Sequence, residues 1–306
     1  MTAHSPLTPP ARATVCAIVV TYHPDAAFPD RMRALASEVG SIVVVDNASG
    51  PAEIAMLRAL AADGHVTLVE SGENRGVAAA LNTGVREATA FGFEWVILFD
   101  QDSRALPGLV ENLAQICREL GPDLERLGML GTNHVDVNSG ESYVRAAASM
   151  SPAFVERKTV ITSGTLLPIR VFDEIGPFRE DLFIDSVDHE YSLRARKLGY
   201  LVLLAVDPLL AHAIGNRIDH SVLGLPVLTL NYPPFRWYYI VRNRIGVALE
   251  YAREEPTWAA ARLASLCFRL AATLALEPDR REKARCMALG AWDLATGHQA
   301  RRPTEI

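Results

Sequence analysis

The stretch Glu94-Trp95-Val96-Ile97-Leu98-Phe99-Asp100-Gln101-Asp102 decides the reading of the fold. Its apolar run predicts a short strand over Glu94 to Phe99, and two carboxylates spaced i and i+2 follow at once. Toward the N-terminus, comparable runs recur at Val15 to Thr21, Ser41 to Val45 and Val66 to Glu70, separated by helical patterns over Pro29 to Glu38, Ala52 to Ala62 and Val77 to Phe91. That alternation predicts an α/β fold, a Rossmann-like, mixed and mostly parallel sheet flanked by helices. In open sheets of this kind ligands bind beyond the carboxyl ends of the strands. The loops Asp46-Asn47-Ala48-Ser49-Gly50, Ser71 to Gly76 and Asp100-Gln101-Asp102 are therefore expected to face one crevice.

Toward the C-terminus the pattern predicts a helix over Leu106 to Leu120 and a strand over Met129 to Val135. An irregular or hairpin region covers Ser139 to Ser151, followed by a strand over Val160 to Pro168 and a short helix over Ile169 to Ile175. Asp185 to Leu198 reads as a helix with an acidic start, which suits the positive end of the helix dipole. Leu201 to Val206 is the next strand, and from about Tyr232 the chain is helical. The expected organisation is a disordered tail over 1–13, a catalytic domain over 14–231 whose nucleotide half ends near 105, and a helical C-terminal extension over 232–306.

The composition narrows the function. With 306 residues, 49% hydrophobic and 22% charged, the chain can bury a large core. A formal net charge of −6 and a pI near 5.8 leave no basic field for a nucleic acid. The cysteines Cys16, Cys117, Cys267 and Cys286 form no C-x-x-C pair, so reduced thiols and a cytoplasmic location are expected rather than a zinc site or a disulfide framework. Met1 to Ala13 lacks the order of a secretion signal. Ala259 to Leu276 is apolar but carries Arg262 and Arg269, which would be costly at the centre of a bilayer. Seven residues apart, the two arginines share a helix face and leave an apolar face for core packing or for a membrane surface.

Four groups of residues carry chemistry. Asp100 and Asp102 are hard oxygen ligands suited to Mg²⁺ or Mn²⁺ beside a diphosphate, although a D-x-D pair alone also fits a solvated loop. In Asp185-Ser186-Val187-Asp188-His189-Glu190-Tyr191-Ser192-Leu193-Arg194, Asp188 near a helix start suits a general base, and Glu190 with Arg194 is an i, i+4 pair that also fits a plain surface brace. His212 follows an apolar run and either completes a metal shell or is structural. In Glu73 to Gly84, Gly76 allows close backbone approach and Arg75 offers a planar cation, without the spacing of a dinucleotide fingerprint.

Taken in order, these segments resemble glycosyltransferase family 2. They are Ala17 to Tyr22, Val43 to Ser49, Glu73 to Gly84, Phe99-Asp100-Gln101-Asp102-Ser103, Asp185 to Gly199, and His212. The resemblance implies the GT-A fold. It implies that Thr21, Asp46 and Asn47 meet the base and ribose, that Arg75 and Gly76, with Asp100 and Gln101, serve the donor, and that Asp102, with Asp100 and His212, holds the metal. Asp188 would deprotonate the acceptor. On the acceptor side Ser163 and Gly164 would open a loop, with Glu190 nearby and Trp237, ahead of Tyr238 and Tyr239, stacking on sugar or packing in a core. A narrower resemblance, carried by Phe99 to Ser103, Phe183 to Tyr191 and Tyr238-Tyr239 with Arg242-Asn243, is to bacterial rhamnosyltransferases that use dTDP-L-rhamnose. Among these it is most similar to those that extend a monorhamnolipid, and next to those that extend a lipid-linked O-antigen or cell-wall saccharide. A glycolipid acceptor and a peripheral contact with the inner membrane would follow. A nucleotidyltransferase would show a Gly-rich basic loop in place of Thr21-Tyr22-His23-Pro24-Asp25, and a non-catalytic binding module would need no base.

Overall fold

β1 (Val15–Thr21) is buried at every position and lies in the middle of a parallel block. In the computed structural model, residues 6–136, 142, 153–212, 218–222 and 225–306 are described, with only the backbone of 136, 212, 218–222 and 225–228. They divide into two units, Met1–Phe178 with Tyr191–Ala213, and Arg179–Glu190 with Ile214–Ile306.

In the first unit β1 pairs in parallel with β2 (Ser41–Asp46) and β4 (Trp95–Asp100), and β2 pairs with β3 (Val66–Glu70). Each connection is a helix, α1 (Phe28–Ala36), α2 (Pro51–Ala61) and α3 (Gly76–Ala90). The remaining strands are β5 (Arg104–Ala105), β6 (Leu127–Asp136), β7 (Phe154–Glu156), β8 (Thr165–Pro168) and β9 (Leu201–His212), with α4 (Leu109–Leu120) and α5 (Ile169–Ile175) between them. The order is β3-β2-β1-β4-β8-β6-β9-β5, with β7 added on β9. β8 runs antiparallel between β4 and β6, so the sheet is mixed, as expected.

Apolar side chains from both sheet faces form the core, with Trp95, Phe28, Phe99 and Ile42 at most 1% exposed. Fully burying one such side chain is worth about 1.5–3 kcal/mol. α3 lies tight on β1, because a Cβ on Gly84 would stand 2.2 Å from Ile18 Cγ2.

Several expectations are corrected. From Leu7 onward the expected disordered tail is held in place: the Leu7 amide donates to Glu125 Oε1 at 2.7 Å, and Thr8 O accepts from Trp95 Nε1 at 3.1 Å. The strand expected from Val160 begins only at Thr165, because Gly164 takes φ +76° and breaks the extended run. β9 continues past Val206 to His212 through register shifts against β6, which let Pro208 sit in a strand. Ser139 to Ser151 lies outside the described residues apart from Ser142.

The second unit holds a hairpin of β10 (Ile218–Val222) and β11 (Leu225–Thr229), not expected from the pattern, and three helices, α7 (Pro234–Glu250), α8 (Pro256–Leu276) and α9 (Arg280–Thr296). α6 (Val187–Lys197) starts in this unit and ends in the first. The unit therefore includes Arg179–Glu190, which the expected boundary near 231 assigned elsewhere. Side chains of α7 fasten this segment. Buried Lys283 and Glu277, each 1% exposed, pair at 2.8 Å where α8 gives way to α9.

Candidate active site

β1, β2 and β4 end side by side, in a register that places Thr21 beside Asp46 and Val20 beside Asp100. This is where the strand order reverses direction, the usual place for a ligand crevice. Thr21 Oγ1 donates to Asp46 Oδ1 at 2.9 Å, and the Ser49 amide donates to Asp46 Oδ2 at 2.8 Å. Asn47 Nδ2 donates to Gly76 O at 3.0 Å, while its Oδ1 accepts from the Arg75 amide at 3.2 Å. The buried Asn47 thus ties the β2 loop to the start of α3. Gly76 has φ +85°, a conformation strained for any residue with a Cβ. Arg75 and Asp102 are exposed, and Asp100 is half-buried.

Gln101, expected at the donor, holds the neighbouring loop instead. Its Oε1 accepts from the Tyr22 amide and its Nε2 donates to Tyr22 O. Tyr22 itself is 48% exposed at the loop tip. Arg31 Nε donates to Gln101 O at 2.8 Å and its guanidinium also reaches Asp25 Oδ1, so the turn is braced from α1 as well.

Ser163 and Gly164, expected in an acceptor loop, lie behind the carboxylates. Ser163 is 1% exposed; its hydroxyl accepts from the Asp100 amide at 3.2 Å and donates to Ser103 Oγ at 2.7 Å. The Gly164 amide donates to Leu98 O at 2.7 Å. A Cβ on Gly164 would fall 2.1 Å from Thr132 Oγ1. The pair sets the position of the β4 end.

In the second unit, Phe183, Asp185 and Ser186 all take positive φ, at 59°, 67° and 66°. Each such non-glycine residue costs on the order of 1–3 kcal/mol, so the loop needs support. Asn243 Nδ2 donates to the carbonyls of Leu182, Ile184 and Asp185, and Arg244 makes a bidentate pair with Asp185 at 3.1 and 3.0 Å. Burial alone would raise the Asp185 carboxyl; the charge and hydrogen bonds of Arg244 outweigh it and hold the group below the usual carboxylate range. The braced loop presents Asp188 in the first turn of α6, partly exposed, with Oδ1 accepting from the His189 amide at 2.8 Å. Burial lowers the His189 imidazole below its ordinary value against the opposing charge of Asp188.

Glu190 and Trp237 are not on an open surface. Glu190 is 1% exposed and accepts from Tyr251 Oη at 3.1 Å. Trp237, 3% exposed, packs with Ile240, Val241, Leu266 and Met287. The backbone of His212 pairs opposite Asp136. Among the described residues no three His, Cys, Asp or Glu side chains form a metal cluster.

Ser103, Ser163's partner, stood next to Asp102 in sequence; Arg244 gave no signal, because its partner is 59 residues away.

The sequence profile described as glycosyl transferase family 2 matches residues 16–143. The dTDP-rhamnosyl transferase RfbF of Shigella flexneri is 30% identical over 244 residues, 76% of this chain and 78% of its own length. The chain belongs to glycosyltransferase family 2. Solved structures resemble this family 2 chain in fold. S. aureus TarS 1-349 in complex with UDP-GlcNAc has 14% identity and TM-score 0.59, with 92% of this chain and 80% of that one covered. The mannosyltransferase PcManGT from Pyrobaculum calidifontis in complex with GDP-Man and Mn²⁺ has 19% identity and TM-score 0.53, with 94% and 88% covered. The mixed sheet flanked by helices, with its C-terminal helices, is the GT-A fold expected for family 2.

Proposed function

We propose that this family 2 chain is a metal-dependent, inverting rhamnosyltransferase that moves L-rhamnose from dTDP-L-rhamnose to a hydroxyl of a glycolipid. The observation that carries the sugar is its identity with a dTDP-rhamnosyl transferase over about three-quarters of both chains. Monorhamnolipid is the first acceptor to test, and a lipid-linked saccharide the second. The enzyme would work in the cytoplasm, peripheral to the inner membrane; α8 is long and apolar, and much of its apolar surface is exposed.

In this reading Thr21, Asp46 and Asn47 frame the nucleoside, and Tyr22 offers a ring at the loop tip. Arg75 and Gly76 approach the phosphates. Two carboxylates at i and i+2 are hard oxygen donors that would suit a small divalent ion beside a diphosphate. Asp102 and Asp100, with His212, would hold Mg²⁺ or Mn²⁺, which when bound neutralises charge on the departing diphosphate. Asp188 takes the proton of the acceptor hydroxyl, whose oxygen attacks the anomeric carbon as the bond to the diphosphate breaks. One displacement inverts that carbon. Positioning of both substrates and stabilisation of the leaving group supply most of the rate.

The test is a donor panel of dTDP-L-rhamnose, UDP-glucose and UDP-galactose with monorhamnolipid or a lipid-linked saccharide, read by mass spectrometry. Transfer only from a UDP-hexose refutes the rhamnosyl reading. Asp188→Asn is expected to lower turnover by about 10²-fold or more with donor affinity kept; unchanged turnover removes Asp188 as the base. Calorimetry of donor with Mg²⁺ is expected to lose binding in Asp102→Ala.

A further inference from the structure

α8 is turned inside out relative to an ordinary surface helix. Ala260, Ala264, Cys267, Phe268, Ala271 and Leu274 are exposed, Phe268 at 61%, while Arg262 and Arg269 are half-buried on the other side. A helix that shows water an apolar face and turns its charges inward fits an apolar surface, not solvent.

The inward arginines are short of counter-charge. Arg244 is paired with Asp185, but among the described residues neither Arg262 nor Arg269 has a carboxylate within ion-pair distance. Arg262 rests over the Trp258 ring at 5.7 Å. Arg269 lines a cavity of about 290 Å³ with Tyr232, Trp237, Ser265, Phe268 and Thr273. Glu277 also borders it, with its charge already met by Lys283 at 2.8 Å. An unpaired guanidinium at the wall of a cavity calls for an anion with acceptor oxygens. Burial first, and then the neighbouring Arg244 charge, lower Arg269, with Tyr232 and Asp185 acting the other way. The wider charge agrees: Tyr232 to Ile306 carries twelve Lys and Arg against eight Asp and Glu, in a chain whose net charge is −6.

We infer that the second unit binds a phosphate-bearing lipid, with the phosphate held by Arg269 and the hydrocarbon lying past Phe268 along the outer face of α8. The inference rests on the membrane side of the proposed function and not on the sugar transferred.

The test is flotation of the full chain with vesicles of phosphatidylcholine alone, with added phosphatidylglycerol, or with a trace of a polyprenyl phosphate. Binding to either phosphate-enriched preparation and not to phosphatidylcholine is expected. Sufficiency of trace polyprenyl phosphate identifies an acceptor-type lipid, and a need for phosphatidylglycerol identifies bulk phospholipid; both support the site. Arg269→Gln should weaken binding by about fivefold, with the circular dichroism spectrum unchanged. Phe268→Ser, at an exposed position, should weaken it without a folding risk. Arg285→Gln, at an exposed arginine paired with Glu282, is the control for general surface charge. Equal binding to phosphatidylcholine, equal damage from Arg285→Gln, or calorimetric binding of inorganic phosphate without vesicle association overturns the inference. Donor affinity by calorimetry reports separately on the transferase reading.

Discussion

Gln101 holds Tyr22 by both polar groups of its backbone, accepting from the amide at 2.7 Å and donating to the carbonyl at 3.1 Å. The residue between the two carboxylates therefore sets the loop after β1. Gln101→Ala is expected to cost about 1–3 kcal/mol for the two bonds and to weaken donor binding with little change in metal affinity. Denaturant unfolding and donor calorimetry with and without Mg²⁺ check this.

Arg244→Met should leave the Asp185 carboxylate buried without its partner, at a cost of about 3–5 kcal/mol near neutral pH. In the native chain the Asp185 carboxyl titrates below its unfolded value of about 3.9, so its stabilisation is present above that pH and lost as pH falls through the folded value. In the variant burial, the largest influence, is opposed mainly by the Ser186 bond, so the folded value should rise above the unfolded one and acid should recover part of the loss. Melting curves from pH 3.5 to about 7 compare the two slopes.

Gly84→Ala places a methyl against Ile18 and should destabilise by about 1–3 kcal/mol, more than helix propensity returns. Ile18→Val, alone and combined with it, should recover part of the loss if the clash is the cause. Thermal unfolding of the three variants decides.

For the Lys283–Glu277 pair, Lys283→Met alone should cost about 3–5 kcal/mol, because Glu277 is then left charged in the interior. The double variant with Glu277→Leu should be less damaged than the single one. Asn231, which accepts from Lys283 and donates to Glu277, limits that recovery.

Native thiol labelling should report Cys267 first. It is exposed, whereas Cys16, Cys117 and Cys286 are buried and burial pushes the Cys16 and Cys117 thiols up to about 12. Titration with a thiol reagent before and after denaturation, followed by peptide mapping, tests the order.

The parallel half was legible because each strand is a bounded apolar run: Val66–Glu70 has the expected bounds, and Val15–Thr21 as well. The breaks were harder to see. Nothing near Gly164 announced a left-handed turn packed against Thr132, and the strand expected to end at Val206 is carried past Pro208 by a bulged register. At the candidate site, residue types and spacing pointed to Asp100, Asp102 and Asp188. They could not show that Ser163, Glu190 and Trp237 are enclosed, since burial depends on partners far along the chain. The loop before Asp188 is the clearest case, because Asn243 and Arg244 hold it from about 60 residues downstream.

The place of β8 in the sheet bears on how the chain is made. The block β3-β2-β1-β4 is complete once Asp100 has been synthesised, and it can assemble while translation continues. The outer edge of β4, with Trp95 to Leu98, must then wait for Thr165–Pro168 before it is paired. Until then it is an open apolar edge strand able to template pairing with another nascent chain. Slow ribosome transit between these points would favour aggregation, and a chaperone that shields this edge would raise the yield of folded enzyme.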